Sequence, residues 1–196
     1  MLHQLQYFII MTNSQIRIVF HSILILLLFS CSQTNEDMCS FKALIEIPVG
    51  THTKFEYNKE SKKFECQIIN GKKRKINYLS YLGNYGFILD TYMNPSKGGD
   101  GDPLDVIVLS DPKKQGSQIC IKPIAILKLK DNGENDHKII ATDFNSDIPF
   151  TNGTLPESIK EILKIWFCNY KGIDKVKFIS WGNREEAIEE IHKWKF

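Results

Sequence analysis

Short runs of strand-forming residues, separated by turn residues, constrain the fold of this chain more than any other feature. Many short strands with polar turns favour a small sheet that closes on itself. The predicted strands span residues 43–47, 54–57, 63–69, 104–109, 120–130, 138–142 and 175–180. We therefore expect a mainly β fold built around a small barrel.

Two amphipathic segments near the C-terminus predict helices that pack on this barrel. The first spans residues 156–167, with Pro156 at its opening, and its apolar face consists of Ile159, Ile162, Leu163 and Trp166. The second spans residues 184–194, after Asn183 as N-cap with Glu186 three residues on, and its apolar face consists of Ala187, Ile188, Ile191 and Trp194. The fold class is therefore α+β, mainly β.

The N-terminal segment is typical of an export signal. Arg17 is followed by an apolar run over residues 18–29, which is shorter than the about 20 residues that a spanning helix needs. The run ends in Leu28-Phe29-Ser30-Cys31, which resembles a bacterial lipobox and predicts a lipid on Cys31. An uncleaved anchor helix is the alternative, and Met11 is an alternative start.

These features divide the chain into a signal peptide over residues 1–31, a polar tether over residues 32–40 and one folded domain over residues 41–196. We expect the domain to be exported, on the periplasmic or cell-envelope side, and anchored to a membrane by lipid. Lys and Arg number 25 against 23 Asp and Glu, and this balance argues against a nucleic-acid-binding protein.

Four cysteines follow Cys31, at positions 39, 66, 120 and 168, and their wide separation does not fit a zinc site. Cys120 and Cys168 lie in apolar stretches, which predicts small buried side chains. An exported chain can form disulfides, but the sequence assigns no pairing.

Asp100, Asp102 and Asp105 form an acidic run at the start of the predicted strand 104–109. Carboxylates this close repel one another unless a cation is bound, and hard oxygen ligands suit Mg²⁺. A solvated Asp-Gly turn is one alternative. An EF-hand loop is a poor second alternative, because Asp105 stands where that loop needs glycine.

A second acidic segment, residues 131–138, joins two predicted strands. Asp131 and Asp136 flank the hairpin end, while Asp136 and Lys138 share one strand face. The segment alone is typical of a polar turn, but beside the first acidic run it offers ligands for a site with several metal ions.

Cationic and phenolic side chains complete a candidate phosphate site. Lys54 and Glu56 share one face of a predicted strand, although a plain surface ion pair also explains them. Arg74, Tyr85 and the pair Tyr170-Lys171 lie further along the chain. Arg and Lys neutralise phosphate oxygens, and tyrosine hydroxyls orient them.

Several of these motifs occur in the order found in one enzyme family. The motifs are Ile45-Glu46-Ile47-Pro48, Lys54-Phe55-Glu56, Asn84-Tyr85-Gly86-Phe87, Asp100-Gly101-Asp102-Pro103-Leu104-Asp105 and Asn169-Tyr170-Lys171. From residue 43 onward the chain resembles the family I soluble inorganic pyrophosphatases. The resemblance implies a five-stranded OB-type barrel with flanking C-terminal helices, and hydrolysis of diphosphate to two orthophosphates with several Mg²⁺ ions per site.

The resemblance also implies a role for each candidate residue. The implied metal ligands are Asp100, Asp105, Asp136, Asp131, Glu46 and Glu56. The implied phosphate-binding residues are Lys54, Arg74, Tyr85, Tyr170 and Lys171, with Tyr85 also near the attacking water and Lys73 as an alternative to Arg74. Asp102 is the implied general base.

Two other functions stay open from the sequence. One is a noncatalytic phosphate-binding or metal-binding domain on the same fold. The other is hydrolysis of a nucleotide or short polyphosphate, because the stretch between Tyr85 and Asp100 is longer than in compact bacterial members of the family. The resemblance leaves homo-oligomerisation open, since bacterial members are often hexamers.

Overall fold

The computed structural model describes residues 39–146 and 154–196. The predicted signal peptide, Cys31 and most of the predicted tether lie outside the described residues. The strands are β1 Lys42–Ile47, β2 Phe55–Asn58, β3 Lys63–Cys66, β4 Ile68–Ile69, β5 Lys72–Lys73, β6 Asn84–Ile88, β7 Asp105–Leu109, β8 Gln118–Asp131, β9 Glu134–Asn135, β10 Lys138–Asp143 and β11 Val176–Gly182. The helices are α1 Glu157–Asn169 and α2 Arg184–Trp194. Neither helix has the length and apolar character needed to cross a bilayer, and no other described segment supplies such a helix.

Five strands close into a ring. β1 pairs with β6, β6 with β7, β7 with β10, β10 with β8, and β8 returns to β1. The β7–β10 pair is parallel and the other four pairs are antiparallel. β11 extends the sheet from β8. This arrangement agrees with the predicted five-stranded OB-type barrel.

Strand β8 is long, and four strands, β1, β9, β10 and β11, pair along it. Ile140 of β10 pairs with Ala125, but the next residue, Ala141, pairs with Pro123. The skipped residue, Ile124, marks a bulge beside a proline that has no N–H to donate. A bulge bends a strand, so β8 can turn from β1 toward β11.

Each helix buries an apolar face, as the sequence pattern predicted, and the two faces belong to different apolar clusters. α1 contributes Leu163, Trp166 and Phe167 to one cluster, and α2 contributes Ala187, Ile191 and Trp194 to the other. The prediction for Ile162 is wrong, because this side chain is 56% exposed. Phe167 takes its place, since residues 159, 163, 166 and 167 define the buried stripe of α1. The capping box of Asn183 and Glu186 is confirmed.

The sequence did not predict β6, whose first residue is the buried Asn84. Asn84 Nδ2 donates to the carbonyl oxygen of Asp111 at 3.0 Å, and Asn84 Oδ1 accepts from the amide of Lys113 at 2.8 Å. A Cβ on Gly86 would lie 1.9 Å from the carbonyl oxygen of Leu44, so β1 and β6 approach closely only because residue 86 is glycine. Asn and Gly are both depleted in β-strands, so this segment lacks the local pattern that predicts a strand.

A disulfide joins Cys39 to Cys120, a pairing that the sequence did not assign. The prediction of a small buried side chain at Cys120 is wrong, because the residue is only partly buried. The Cα atoms are 5.5 Å apart, because Lys42 just beyond Cys39 pairs with Cys120 in the β1–β8 ladder. Cys168, the other cysteine placed in an apolar stretch, is only partly buried, and it remains free, as does Cys66.

Replacing Cys39 with Ser is expected to lower the free energy of unfolding by about 2–4 kcal/mol, because the bond closes a long loop in the unfolded chain. Urea unfolding with and without a thiol reductant measures this effect. Reductant should destabilise the parent protein and leave the Cys39→Ser variant unchanged. A parent protein whose stability does not respond to reductant would contradict the prediction.

Glu190 on α2 is an ionised carboxylate held by neighbouring donors. Trp194 Nε1 donates to Glu190 Oε1 at 2.7 Å, and His137 Nδ1 lies 3.4 Å from the same oxygen. Burial disfavours the charged form, but His137 and Trp194 outweigh it and lower the pKa of Glu190 to about 2.

Because the folded-state pKa lies below the ordinary value, this carboxylate stabilises the fold above pH ~4.5 and loses that effect as pH falls toward ~2. The stability difference between the parent and a Glu190→Gln variant should shrink by about 2 kcal/mol across this window. Glu189→Gln, an exposed position on the same helix, is the matched control. Parallel stability curves for parent and Glu190→Gln would show that the contact has no such effect.

Candidate active site

A polar cavity of about 490 Å³ opens where three strand ends meet. β7 and β10 are parallel, so both start at this end of the sheet, and the antiparallel β8 finishes there. Asp105 begins β7, Asp131 ends β8, and Asp136 lies just before β10. The twelve residues predicted for the site all line this cavity: Glu46, Lys54, Glu56, Arg74, Tyr85, Asp100, Asp102, Asp105, Asp131, Asp136, Tyr170 and Lys171.

The acidic run reaches the cavity through a tight turn. Gly101 has a φ of 88°, and the amide of Asp102 donates to Asp100 Oδ1 at 2.9 Å. The carbonyl oxygen of Asp102 accepts from the amide of Met93 at 2.8 Å. Burial, together with the neighbouring Asp102 and Asp105, raises the pKa of Asp100. The turn therefore holds two carboxylates close together beside β7.

Lys138 is a buried cation between two of the carboxylates. Its side chain is almost inaccessible, with the residue 1% exposed, and Nζ donates to both Asp105 Oδ2 and Asp136 Oδ1. Burial alone would favour the neutral amine, yet the two carboxylates raise the pKa of Lys138. Lys138 in turn lowers the pKa of Asp136 against the effect of burial. Sequence reasoning placed Lys138 on the face of Asp136 but assigned it no role.

Asp131 and Lys171 form a second ion pair on the cavity wall. Lys171 Nζ donates to Asp131 Oδ2, while the buried Asp131 Oδ1 has no hydrogen-bond partner among the described residues. Burial opposes the charge on Lys171, but the carboxylates of Asp131 and Asp136 raise its pKa. A buried carboxylate oxygen without a partner is a ready ligand for a cation.

Aromatic rings form the side of the cavity that faces α1. Tyr85 donates its hydroxyl to Asp105 Oδ2 at 2.6 Å, and Lys54 Nζ lies 4.8 Å from the centre of the Tyr85 ring. Tyr170 stacks on Trp166 with ring centres 4.6 Å apart. Burial raises the pKa of both Tyr85 and Tyr170, so each phenol stays protonated and can donate to an anion.

Glu46 reaches the cavity through a bulge in β1. Ile45 pairs with Gly86 and Ile47 pairs with the adjacent Tyr85, so Glu46 is the extra residue. Glu46 is 7% exposed, and its Oε1 accepts a hydrogen bond from the amide of Tyr57 at 2.6 Å. Burial raises the pKa of Glu46 to about 7. This carboxyl group would gain strongly from a cation at the site.

Lys54 and Glu56 form the ion pair that the sequence analysis gave as an alternative, with Lys54 Nζ 3.7 Å from Glu56 Oε1. Both side chains also line the cavity.

Arg74 lines the cavity, whereas Lys73 lies exposed on β5 and does not. The predicted strand 63–69 is interrupted at Gln67, which bonds to Arg74. Sequence reasoning missed Gln67, and no local pattern marks it.

The donor set of the cavity fits a hard divalent cation. All six predicted ligands supply carboxylate oxygens, which Mg²⁺ and Ca²⁺ prefer over nitrogen or sulfur. Lys138 and Lys171 already bring positive charge against three of these carboxylates, which indicates how strongly the cavity favours cations. Within residues 39–146 and 154–196, no three acidic, His or Cys side chains converge tightly enough to enclose one ion by themselves. The remaining ligands of any ion would therefore be water or substrate oxygens.

Comparison with known proteins identifies the family. The family model described as inorganic pyrophosphatase matches residues 43–195. The inorganic pyrophosphatase of Thermoplasma volcanium is 33% identical over 168 residues, which cover 81% of this chain and 94% of that relative. The chain belongs to the inorganic pyrophosphatase family.

Solved structures agree with this assignment. The inorganic pyrophosphatase of Coxiella burnetii aligns with a TM-score of 0.68 at 25% identity, covering 78% of this chain and 91% of that chain. The vacuolar soluble pyrophosphatase of Trypanosoma cruzi, truncated at its N-terminal domain and in complex with PPi, aligns with a TM-score of 0.70 at 26% identity, over 78% of this chain and 66% of that chain. As a member of this family, the chain hydrolyses inorganic diphosphate, and the family implies that it uses divalent metal ions.

Proposed function

We propose that the cavity hydrolyses diphosphate with Mg²⁺ and that its twelve predicted residues divide into metal ligands, a phosphate clamp and a general base. One observation carries this proposal: carboxylates and cations from distant parts of the chain line the same 490 Å³ cavity. A site for a metal–diphosphate complex needs both, because the metal requires anionic ligands and the substrate requires cationic ones.

Asp100, Asp105, Asp136, Asp131, Glu46 and Glu56 would hold the ions. Bound Mg²⁺ would supply a Lewis acid that makes an attacking water more acidic and neutralises charge on the phosphates. The free oxygen of Asp131 and the raised pKa of Glu46 support this role, because both are buried carboxyl groups whose ionised form a cation would stabilise.

Lys54, Arg74, Tyr85, Tyr170 and Lys171 would bind the phosphate oxygens. The two lysines and the arginine offset the charge of the substrate, and the two phenols donate hydrogen bonds. Lys171 is charged despite its partial burial, because the carboxylates of Asp131 and Asp136 raise its pKa. Fixed donors of this kind stabilise the charge that develops on the leaving phosphate.

Asp102 would take the proton from the attacking water. Asp105 already accepts from Tyr85 and Lys138. The carboxylate of Asp102, by contrast, faces the cavity with no lysine or arginine pair in the part of the chain that the structure describes. A base must be free to accept a proton, and no side-chain donor in the described part of the chain occupies the Asp102 carboxylate.

Orthophosphate release from diphosphate, ATP and tripolyphosphate, each with Mg²⁺, tests the substrate preference. We expect release from diphosphate to exceed release from either longer substrate by at least about tenfold in kcat/KM, because the chain belongs to the inorganic pyrophosphatase family. Faster hydrolysis of ATP would favour the alternative phosphoanhydride. Binding of diphosphate without turnover in folded protein would favour the noncatalytic domain.

We also propose that the domain is exported and held at a membrane by lipid on Cys31. The apolar run after Arg17 supports export. The Cys39–Cys120 disulfide supports it independently, because disulfides persist mainly in oxidising compartments. Labelling of cells with a fatty-acid analogue tests the anchor. The parent chain should be labelled and a Cys31→Ala variant should not, and a labelled variant would exclude Cys31 as the sole anchor.

A further inference from the structure

The Arg74 guanidinium is held at the cavity wall by an uncharged side chain. Arg74 Nη1 donates to Gln67 Oε1 at 2.5 Å. Both side chains line the cavity, and both are partly buried. Among residues 39–146 and 154–196, Gln67 is the only side chain that bonds to this guanidinium. The direction in which Arg74 points therefore depends on Gln67.

The backbones of the two residues are fixed separately from this contact. Gln67 and Arg74 flank the β4–β5 hairpin, and the amide of Arg74 donates to the carbonyl oxygen of Gln67 at 2.7 Å. The amide of Gln67 donates to the carbonyl oxygen of Lys54, and the amide of Lys54 donates to that of Arg74, both at 3.0 Å. These backbone bonds do not use the Gln67 side chain. Its loss should therefore release the guanidinium without unfolding the hairpin.

An uncharged acceptor suits an arginine that must bind an anion. A free arginine side chain loses rotamer entropy when it is ordered, and a preformed contact removes part of that loss from substrate binding. A carboxylate in place of Gln67 would also fix the guanidinium, but it would cancel the charge that attracts phosphate. Gln67 can fix Arg74 and leave its full charge available.

We propose that Gln67 is a positioning residue that orients Arg74 for diphosphate and thereby sets the KM of the reaction. The proposal rests on the phosphate-binding role proposed for Arg74. Gln67 acts before the chemical step, so its removal should change substrate binding and leave the rate of the bound complex nearly unchanged.

Steady-state kinetics of the full chain with saturating Mg²⁺ test this inference. Gln67→Met keeps the length of the side chain but removes the acceptor, and we expect KM for diphosphate to rise about 5–10-fold with kcat within about twofold. Gln118→Met is the matched control, because Gln118 is exposed at the start of β8 and lies outside the cavity. It should leave both constants unchanged. A Gln67→Met enzyme with unchanged KM, or with a lower kcat at unchanged KM, would overturn the inference.

Gln67→Glu provides a second variant that retains an acceptor, should Gln67→Met fold poorly. It should also raise KM, because the new carboxylate neutralises Arg74 and repels diphosphate. Unchanged KM in Gln67→Glu would overturn the inference as well.

Arg74→Ala separates the inference from the function on which it rests. Arg74→Ala alone should raise KM, and adding Gln67→Met to it should change KM by less than about twofold, because Gln67 acts only through Arg74. Unchanged KM in Arg74→Ala would contradict the substrate role of Arg74 itself. A raised KM in Arg74→Ala with a full additional effect of Gln67→Met would instead exclude Gln67 as a positioning residue.

Discussion

Replacing Asp102 with Asn is expected to lower kcat for diphosphate by about 10²–10⁴-fold, the usual contribution of a general base. Asparagine preserves the size of the side chain, and the backbone amide of residue 102 can still donate to Asp100. The turn should therefore persist while the proton acceptor is lost. Initial rates of phosphate release at saturating Mg²⁺ and diphosphate measure the effect.

Asp111→Asn is the matched control for this substitution, since Asp111 is exposed and lies outside the cavity. It should retain the parent kcat, and Mg²⁺ should stabilise the Asp102→Asn protein against heat as it does the parent. A kcat for Asp102→Asn within about threefold of the parent would exclude Asp102 as the base, because that loss is far below what general-base catalysis contributes.

Replacing Lys138 with Met is expected to lower the free energy of unfolding by about 3 kcal/mol in the presence of a chelator, because it leaves two partly buried carboxylates without their shared cation. Asp105 and Asp136 would then face each other across the vacated position. Added Mg²⁺ should recover part of the lost stability, since a divalent ion also neutralises these carboxylates. Urea unfolding with chelator and with Mg²⁺ measures both effects.

Lys130→Met is the control for Lys138→Met, because Lys130 lies exposed on β8. Its loss should change stability by less than about 1 kcal/mol. If Lys138→Met lowered the free energy of unfolding in chelator no more than Lys130→Met does, the buried ion pairs would contribute little to the stability of the fold. If Mg²⁺ failed to stabilise the variant more than the parent, Lys138 and the metal would not act on the same carboxylates.

The sequence predicted most strands of the barrel and both helices, because alternating and helical apolar patterns are local signals. It missed β6, since Asn84 serves hydrogen bonds to a distant loop and Gly86 allows a close approach of β1. It also placed Ile162 on the buried face of α1, where the neighbouring elements instead cover Phe167. Long-range packing decides such positions, and no short window of sequence contains it.

The carboxylates of the site were predictable because their spacing and motif are local. The side chains that bind these carboxylates were harder to predict. The role of Lys138, for example, depends on Asp105, which is 33 residues away. Gln67 bonds to Arg74 only because a hairpin folds between them, and Cys39 meets Cys120 only because β1 pairs with β8. The residues that line the cavity could thus be predicted, whereas the contacts that hold them in place required the structure.

Phosphate release during a Mg²⁺ titration tests most directly whether one metal-dependent cavity cleaves diphosphate. At fixed diphosphate, the full chain should release orthophosphate at a rate that rises with free Mg²⁺ and saturates. Excess chelator should reduce the rate to that of the uncatalysed reaction. Release that persists in chelator, or no release at any Mg²⁺ concentration from protein with an intact thermal unfolding transition, would contradict the claim.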